Sequence, residues 1–170
     1  MDTSDIRRSA ILSSCGLYRY ELRRWWVERP MSWVLWILLN PSTADAEEDD
    51  NTVVRCMNFS EAWGYDGLII LNLYAYRATD PTDLLAARMT GVDVHGPDRK
   101  LWYLKAALTA DLAVAGWGTN VLTDVDGPIM RTAMQTFGLP LHYLRLTKAG
   151  HPGHPLYLPG GLTPQVWDGG

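Results

Sequence analysis

Three unbroken apolar runs constrain this chain more than anything else in it: "WVLWILL" at 33–39, "GLIIL" at 67–71 and "LAVAG" at 112–116. A strand with one wet face alternates apolar and polar residues. These runs do not alternate, so they read as strands buried on both faces, the pattern of a parallel sheet covered by helices. The intervening segments carry helical spacing. "NTVVRCMNFSEAWGY" places Val54, Met57, Phe59, Ala62 and Trp63 at helix-like intervals before a capping Gly64. "DPTDLLAARMTG", "GPDRKLWYLKAALTA" and "GPIMRTAMQTFG" read as further helices, and "LHYLRL" as a last strand. Earlier, "YRYELRRWW" does alternate and reads as a half-buried strand before the turn "ERPMS". Strands separated by helices give an α/β fold with parallel central strands.

At 170 residues, the chain fits one domain, residues 1–170, with a real core. Its 2 cysteines, Cys15 and Cys56, form no CxxC pair, which excludes a disulfide framework and leaves little for a zinc site. The start "MDTSDIRRSAILSS" has no apolar stretch of signal-peptide length, and no run approaches a membrane span. A cytoplasmic monomer with no membrane partner and no cofactor or metal is the expectation. The net charge of -4 supplies no global basic field for nucleic acid. The Gly-rich end "LPGGLTPQVWDGG" reads as an irregular tail pinned by Trp167.

In parallel α/β sheets, sites form beyond the carboxyl ends of the strands. The informative residues therefore stand where apolar runs stop: Asn40-Pro41-Ser42, Asn72 with Arg77 beyond it, Trp117-Gly118, and the loop "TKAGHPGHPLY" with His151 and His154. Each has a plainer alternative. Asn40 and Ser42 also suit a turn that caps the next helix. Trp117 also suits the core. His151 and His154 also form a candidate metal pair, but no carboxylate or thiol stands near them in sequence. Asn72 is harder to explain away, because an amide amid apolar residues needs partners. The acidic run Asp45, Glu47, Glu48, Asp49, Asp50 is either a solvated loop, a set of acids favouring the N-terminus of the helix near Asn51, or the source of a catalytic carboxylate.

"LNPSTADA", "WGYDGLIILNLYAYRATDP", "GWG" and "TKAGHPGHPLYL" resemble domain-of-unknown-function family 1643 of bacteria and phages, over about residues 18 to 158. More distantly, the chain resembles the uracil-DNA glycosylase superfamily. "GLIILNLYAYRA" is similar to its strand ending in a base-reading Asn, "AVAGWG" to its next strand, "HPGHPLY" to its His-Pro loop, and "LLNPSTA" to the Asn-Pro form of its first motif. That resemblance implies a three-layer α/β/α sandwich with a central, mostly parallel four-stranded sheet, plus an N-terminal strand or hairpin.

It also implies a DNA glycosylase-like hydrolysis of the N-glycosidic bond of a modified or mismatched base. The partner would be DNA, single-stranded or with the base flipped out, or else a nucleotide. Asn40 would orient the water and Asn72 would read the base. His154 or His151 would donate to the departing base. Apart from the resemblance, the acidic run offers Asp49 or Asp50 as the water's base, although capping of the helix near Asn51 is its favoured reading. Tyr74 or Trp117 would stack on the base, and Arg77 would hold a phosphate. Pro41, Ser42, Asn51 and Arg55 complete the substrate-binding set. Basic residues for DNA would come from Arg19, Arg23, Arg24, Arg29, Arg77, Arg145 and Lys148.

Two other readings stay open: a nucleoside- or nucleotide-processing enzyme, and a non-catalytic nucleic-acid or protein-binding module. A basic stripe beside the pocket favours DNA. A small pocket without a stripe favours the free nucleoside. A pocket filled by the protein's own Tyr and Trp side chains favours the module.

Overall fold

The computed structural model describes residues 6–42, 44 and 47–168. Strand β3 (Trp33–Leu38) lies at the centre, flanked on one side by β4 (Gly67–Asn72) and on the other by β5 (Leu112–Ala115), both parallel to it. Beyond β5 runs β6 (Leu141–Tyr143), also parallel, and then the short antiparallel β7 (Gln165–Val166). Beyond β4 lies an antiparallel hairpin of β1 (Arg7–Leu12) and β2 (Arg19–Trp25), with Leu22 opposite Ile70. The sheet order is β1-β2-β4-β3-β5-β6-β7.

This corrects the expected architecture. The sheet is mixed and has seven strands among the described residues, where a four-stranded, mostly parallel, uracil-DNA-glycosylase-like sheet was expected. The reason is edge pairing. The outer edge of β4 would otherwise expose a row of unpaired N–H and C=O groups. The hairpin adds to that edge instead of standing apart, and the chain end adds to β6 in the same way. Two boundaries also differ. The segment read as strand 141–146 is a strand only over Leu141–Tyr143, and Leu146 forms an isolated bridge with Pro152. Helix α4 (Thr123–Thr136) starts before the expected Gly127-Pro128, because Asn120 Oδ1 accepts from Leu122 N at 2.9 Å and its carbonyl from Thr123 N at 2.9 Å.

Alternate residues of β3 explain both layers around the sheet. Val34, Trp36 and Leu38 face α1 (Asn51–Ala62), where they meet Val53, Met57 and Phe59. Trp36 is fully buried, lies 5.6 Å from the Trp63 ring, and donates its indole N–H to Ser60 Oγ at 3.0 Å. That bond satisfies the one polar atom this large side chain carries inward. Trp33, Leu35 and Ile37 face the other cluster, built from α2 (Pro81–Met89), α3 (Arg99–Ala107) and α4 through Leu84, Tyr103, Ala106, Met130 and Met134.

The chain leaves β3 through α1 to reach β4 on one side, then returns through α2 and α3 to β5 on the other side. The loops after β3 and β4 therefore diverge, and a crevice opens at their carboxyl ends. No helix of the described residues is long and apolar enough to cross a membrane.

Candidate functional site

A cavity of about 490 Å³ opens at that crevice. Its lining joins Leu38, Leu39, Asn40 and Ser42 after β3, Asn72 at the end of β4, Trp117 and Gly118 after β5, and Gly153 and His154 of the His-Pro loop. The four strand ends singled out in the sequence thus meet in one place. The volume falls inside the usual range of about 300–1,000 Å³ for small-ligand sites.

Asn72 is the most informative residue. It is 4 % exposed, and neither Nδ2 nor Oδ1 has a hydrogen-bond partner among the described residues. Its backbone is fixed firmly: Tyr103 Oη donates to the Asn72 carbonyl at 2.8 Å, and the next carbonyl, of Leu73, accepts from Arg99 Nη1 at 3.0 Å. A rigid buried amide with both ends unused is a donor–acceptor pair waiting for a partner.

Asn40 is different. Its Nδ2 donates to Ala78 O at 2.7 Å and Pro41 O at 3.1 Å, which ties the loop after β3 to the loop after β4. The nitrogen is occupied, so Oδ1 is the amide atom that can accept from a water. Pro41 contributes its carbonyl to this tie, also accepting from Ala78 N at 3.1 Å, and does not line the cavity.

The His-Pro loop reaches the crevice because two glycines let it. A Cβ on Gly116 would stand 3.0 Å from Pro155 Cδ and 3.2 Å from Leu38 Cδ2. Gly118 has φ +72°, and a Cβ there would touch His154 Cβ at 3.4 Å. Gly118 N also donates to Pro152 O at 2.8 Å. Once seated, His154 accepts at Nδ1 from Leu156 N at 3.4 Å, so the neutral ring carries its proton on Nε2. Burial lowers its pKa, opposed by the nearby charge of Asp50. At neutral pH the ring is an uncharged hydrogen-bond donor.

Several expected residues lie elsewhere. His151 is absent from the lining, and its Nε2 sits 2.9 Å from Asp124 Oδ1. Asp49 is held by arginines: Oδ1 by Arg24 Nε at 2.5 Å and Oδ2 by Arg8 Nη2 at 3.2 Å. Its neighbour Asp50 is the carboxylate that lines the cavity, while its Oδ1 caps α1 by accepting from Val53 N at 2.9 Å. Asp45 lies outside the described residues.

Tyr74 is buried away from the lining, its hydroxyl 2.5 Å from Asp126 Oδ2 and its pKa raised first by burial and then by that carboxylate. The Trp117 ring presses on Gly127 and tilts 58° against Trp167 at 5.4 Å, which makes it core and not a stacking platform. Trp167 N donates to Leu141 O at 2.8 Å, which ties down the tail, but Gln165–Val166 pair with β6 as a strand where an irregular tail was expected. Arg77 opens onto a separate cavity with Tyr76, Asp83 and Thr90. Asn51 is exposed on α1, and Arg55 donates to Leu158 O at 2.5 Å with its guanidinium over Phe59.

Arg19, named above only as a basic residue for DNA, also lines the cavity, and so do residues the sequence reading passed over: Thr52, Thr79, Thr119, Asn120 and Tyr157. The "TN" after "GWG" stands at a strand end and carried a usable signal. Thr52 and Thr79 look like any polar loop or helix residue and carried none. Among the described residues no three His, Cys, Asp or Glu side chains gather as a metal ion would require.

The chain belongs to a family of proteins of unknown function, DUF1643, whose family model matches residues 19–156. No curated protein and no solved structure matches the chain.

Proposed function

We propose that this DUF1643 protein binds a nucleobase in the crevice and hydrolyses the N-glycosidic bond that carries it. The observation behind this reading is the buried amide of Asn72 in the cavity lining, unpartnered among the described residues. A base edge offers adjacent donors and acceptors, and a fixed amide can meet one of each. The ordered set of motifs similar to the uracil-DNA glycosylase superfamily supports the same chemistry on a modified or mismatched base, carried either by DNA or by a free nucleoside or nucleotide. The cavity is open and not filled by the protein's own aromatic side chains, which speaks against a binding module without chemistry.

The step balances as follows. A water held by Asn40 Oδ1 attacks the anomeric carbon, and the C–N bond breaks with its electron pair leaving on the base. The water's proton passes to Asp50. His154 Nε2–H donates to the base as negative charge develops, a role for which a neutral imidazole suffices. The base then takes up a proton from solvent.

The test is base release from a panel of nucleosides, nucleotides and modified-base oligonucleotides. On an active substrate, His154→Ala is expected to lower turnover about 10²–10³-fold with little change in binding. Asn40→Ala is expected to act in the same direction, and Asn72→Asp to change which base is accepted. No release from any member of the panel, or wild-type turnover in both alanine variants, defeats the proposal.

A further inference from the structure

We infer that the crevice takes its base on a neutral sugar, as a free nucleoside, and discriminates against nucleotides and DNA; the inference rests on the base-binding reading above. The charged groups lining the cavity, among the described residues, are Arg19 and Asp50, so the lining has no net charge while His154 is neutral. Arg19 donates from its guanidinium to the Ala44 carbonyl. The remaining polar lining is largely uncharged: Ser42, Thr52, Thr79, Thr119, Asn120 and Thr147.

Two of these hydroxyls are hydrogen-bonded to each other. Thr147 Oγ1 accepts from Thr119 Oγ1 at 3.1 Å and from His151 N at 3.2 Å. Its own proton has no acceptor among the described residues and is left for a ligand. Asp50 Oδ1 caps α1, and Oδ2 accepts no hydrogen bond from the described residues. Hydroxyl donors and one carboxylate acceptor in the same lining match a sugar, whose hydroxyls both donate and accept. A phosphate only accepts, calls for charged donors, and is repelled by Asp50.

Several arginines beside the crevice are engaged in other contacts. Arg7 donates to Val27 O and Glu28 O, Arg8 and Arg24 pair with Asp49, and Arg23 pairs with Glu21. Arg77 opens onto the neighbouring cavity.

The experiment titrates the protein by calorimetry with uridine, cytidine, adenosine and guanosine, with their 5′-monophosphates, and with single-stranded oligonucleotides of the same bases. Base release is followed in parallel. At least one nucleoside is expected to bind about tenfold or more tightly than its own monophosphate. Asp50→Asn removes the charge but keeps a good helix cap, so the fold is retained and the gap is expected to narrow. A monophosphate or oligonucleotide that binds as tightly as the nucleoside overturns the inference, and so does a gap unchanged in Asp50→Asn. A nucleoside that is bound more tightly than its monophosphate upholds this inference even if it releases no base, and the hydrolytic reading is then decided by the modified-base panel. Release from oligonucleotides in preference to nucleosides upholds the hydrolytic reading and overturns this inference. Binding of none of the probes overturns this inference.

Discussion

Two neighbouring regions treat polar groups in opposite ways. On the hairpin side, charge is buried and answered. Arg24 is fully buried, yet its Nε meets Asp49 at 2.5 Å, and its other nitrogens reach the carbonyls of Arg23 and Glu48 at 2.8 and 3.2 Å. In the crevice, Asn72 is almost as deeply buried and neither atom of its amide is answered. Asp49 and Asp50 stand on the border, one turned to each region. The difference teaches that burial alone does not mark a site. Arg24, whose needs are met inside the chain, serves the fold, while Asn72, left open where a cavity meets it, is available to something outside it.

The largest expected effect breaks the answered side. Asp49→Ala leaves the Arg24 guanidinium buried without its counter-ion, which costs roughly 3–5 kcal/mol. Chemical denaturation should show that loss, and catalysis per folded molecule should stay near wild type. A variant as stable as the parent would mean that the backbone carbonyls alone satisfy Arg24. Next comes the unanswered side. Asn72→Leu replaces an unpaired amide by an apolar group of similar size, so stability should hold or rise. Base release should fall on the order of 10²-fold or more, because the base edge loses its partner. A clear loss of stability in Asn72→Leu would show that the amide is bonded within the fold, and the contrast between the regions would collapse.

A smaller effect sharpens the geometry. Gly116→Ala puts a methyl group 3.0 Å from Pro155 Cδ. The His-Pro loop must shift by a few tenths of an ångström, and His154 with it. Turnover is expected to drop about tenfold with little change in binding, since donor placement matters in the transition state. Unchanged turnover would remove His154 from the reaction.

The sequence made the strand ends legible because an apolar run that stops at Asn40, Asn72 or Trp117 is a local signal. The seven-stranded sheet was not legible in the same way. Whether "RRSAIL" and "QV" pair with an edge depends on which edges the rest of the fold leaves open, a long-range property. Within the site, neighbouring residues of one type were separated only by the fold. Asp49 and Asp50 differ by which one the helix cap turns toward the cavity, and His151 and His154 by which one the two glycines of "GWG" admit. Asn40 and Asn72 look alike in sequence, yet one has its nitrogen tied to Ala78 and the other has no tie.

The smallest effect concerns pH. Burial lowers the pKa of His154, against the charge of Asp50, and burial together with Arg99 lowers that of His95, against the carboxylates of Asp126 and Asp93. In the unfolded chain both rings titrate near the ordinary value of 6.5. Between that value and the lower native ones, the unfolded state binds more protons than the folded state, so stability rises with pH across the window and is lost as pH falls through it. Above the window both states hold neutral rings and these two residues contribute no pH dependence. The check is a difference curve: the melting temperature of the parent minus that of His154→Gln, followed from neutral to mildly acidic pH. It should be flat near neutrality and turn against the parent below 6.5, because glutamine binds no proton in either state. A curve that stays flat through that range would mean His154 titrates alike in both states. The ring would then stand in water at the mouth of the crevice and not in its desolvated wall, and the neutral-donor role would lose its physical basis.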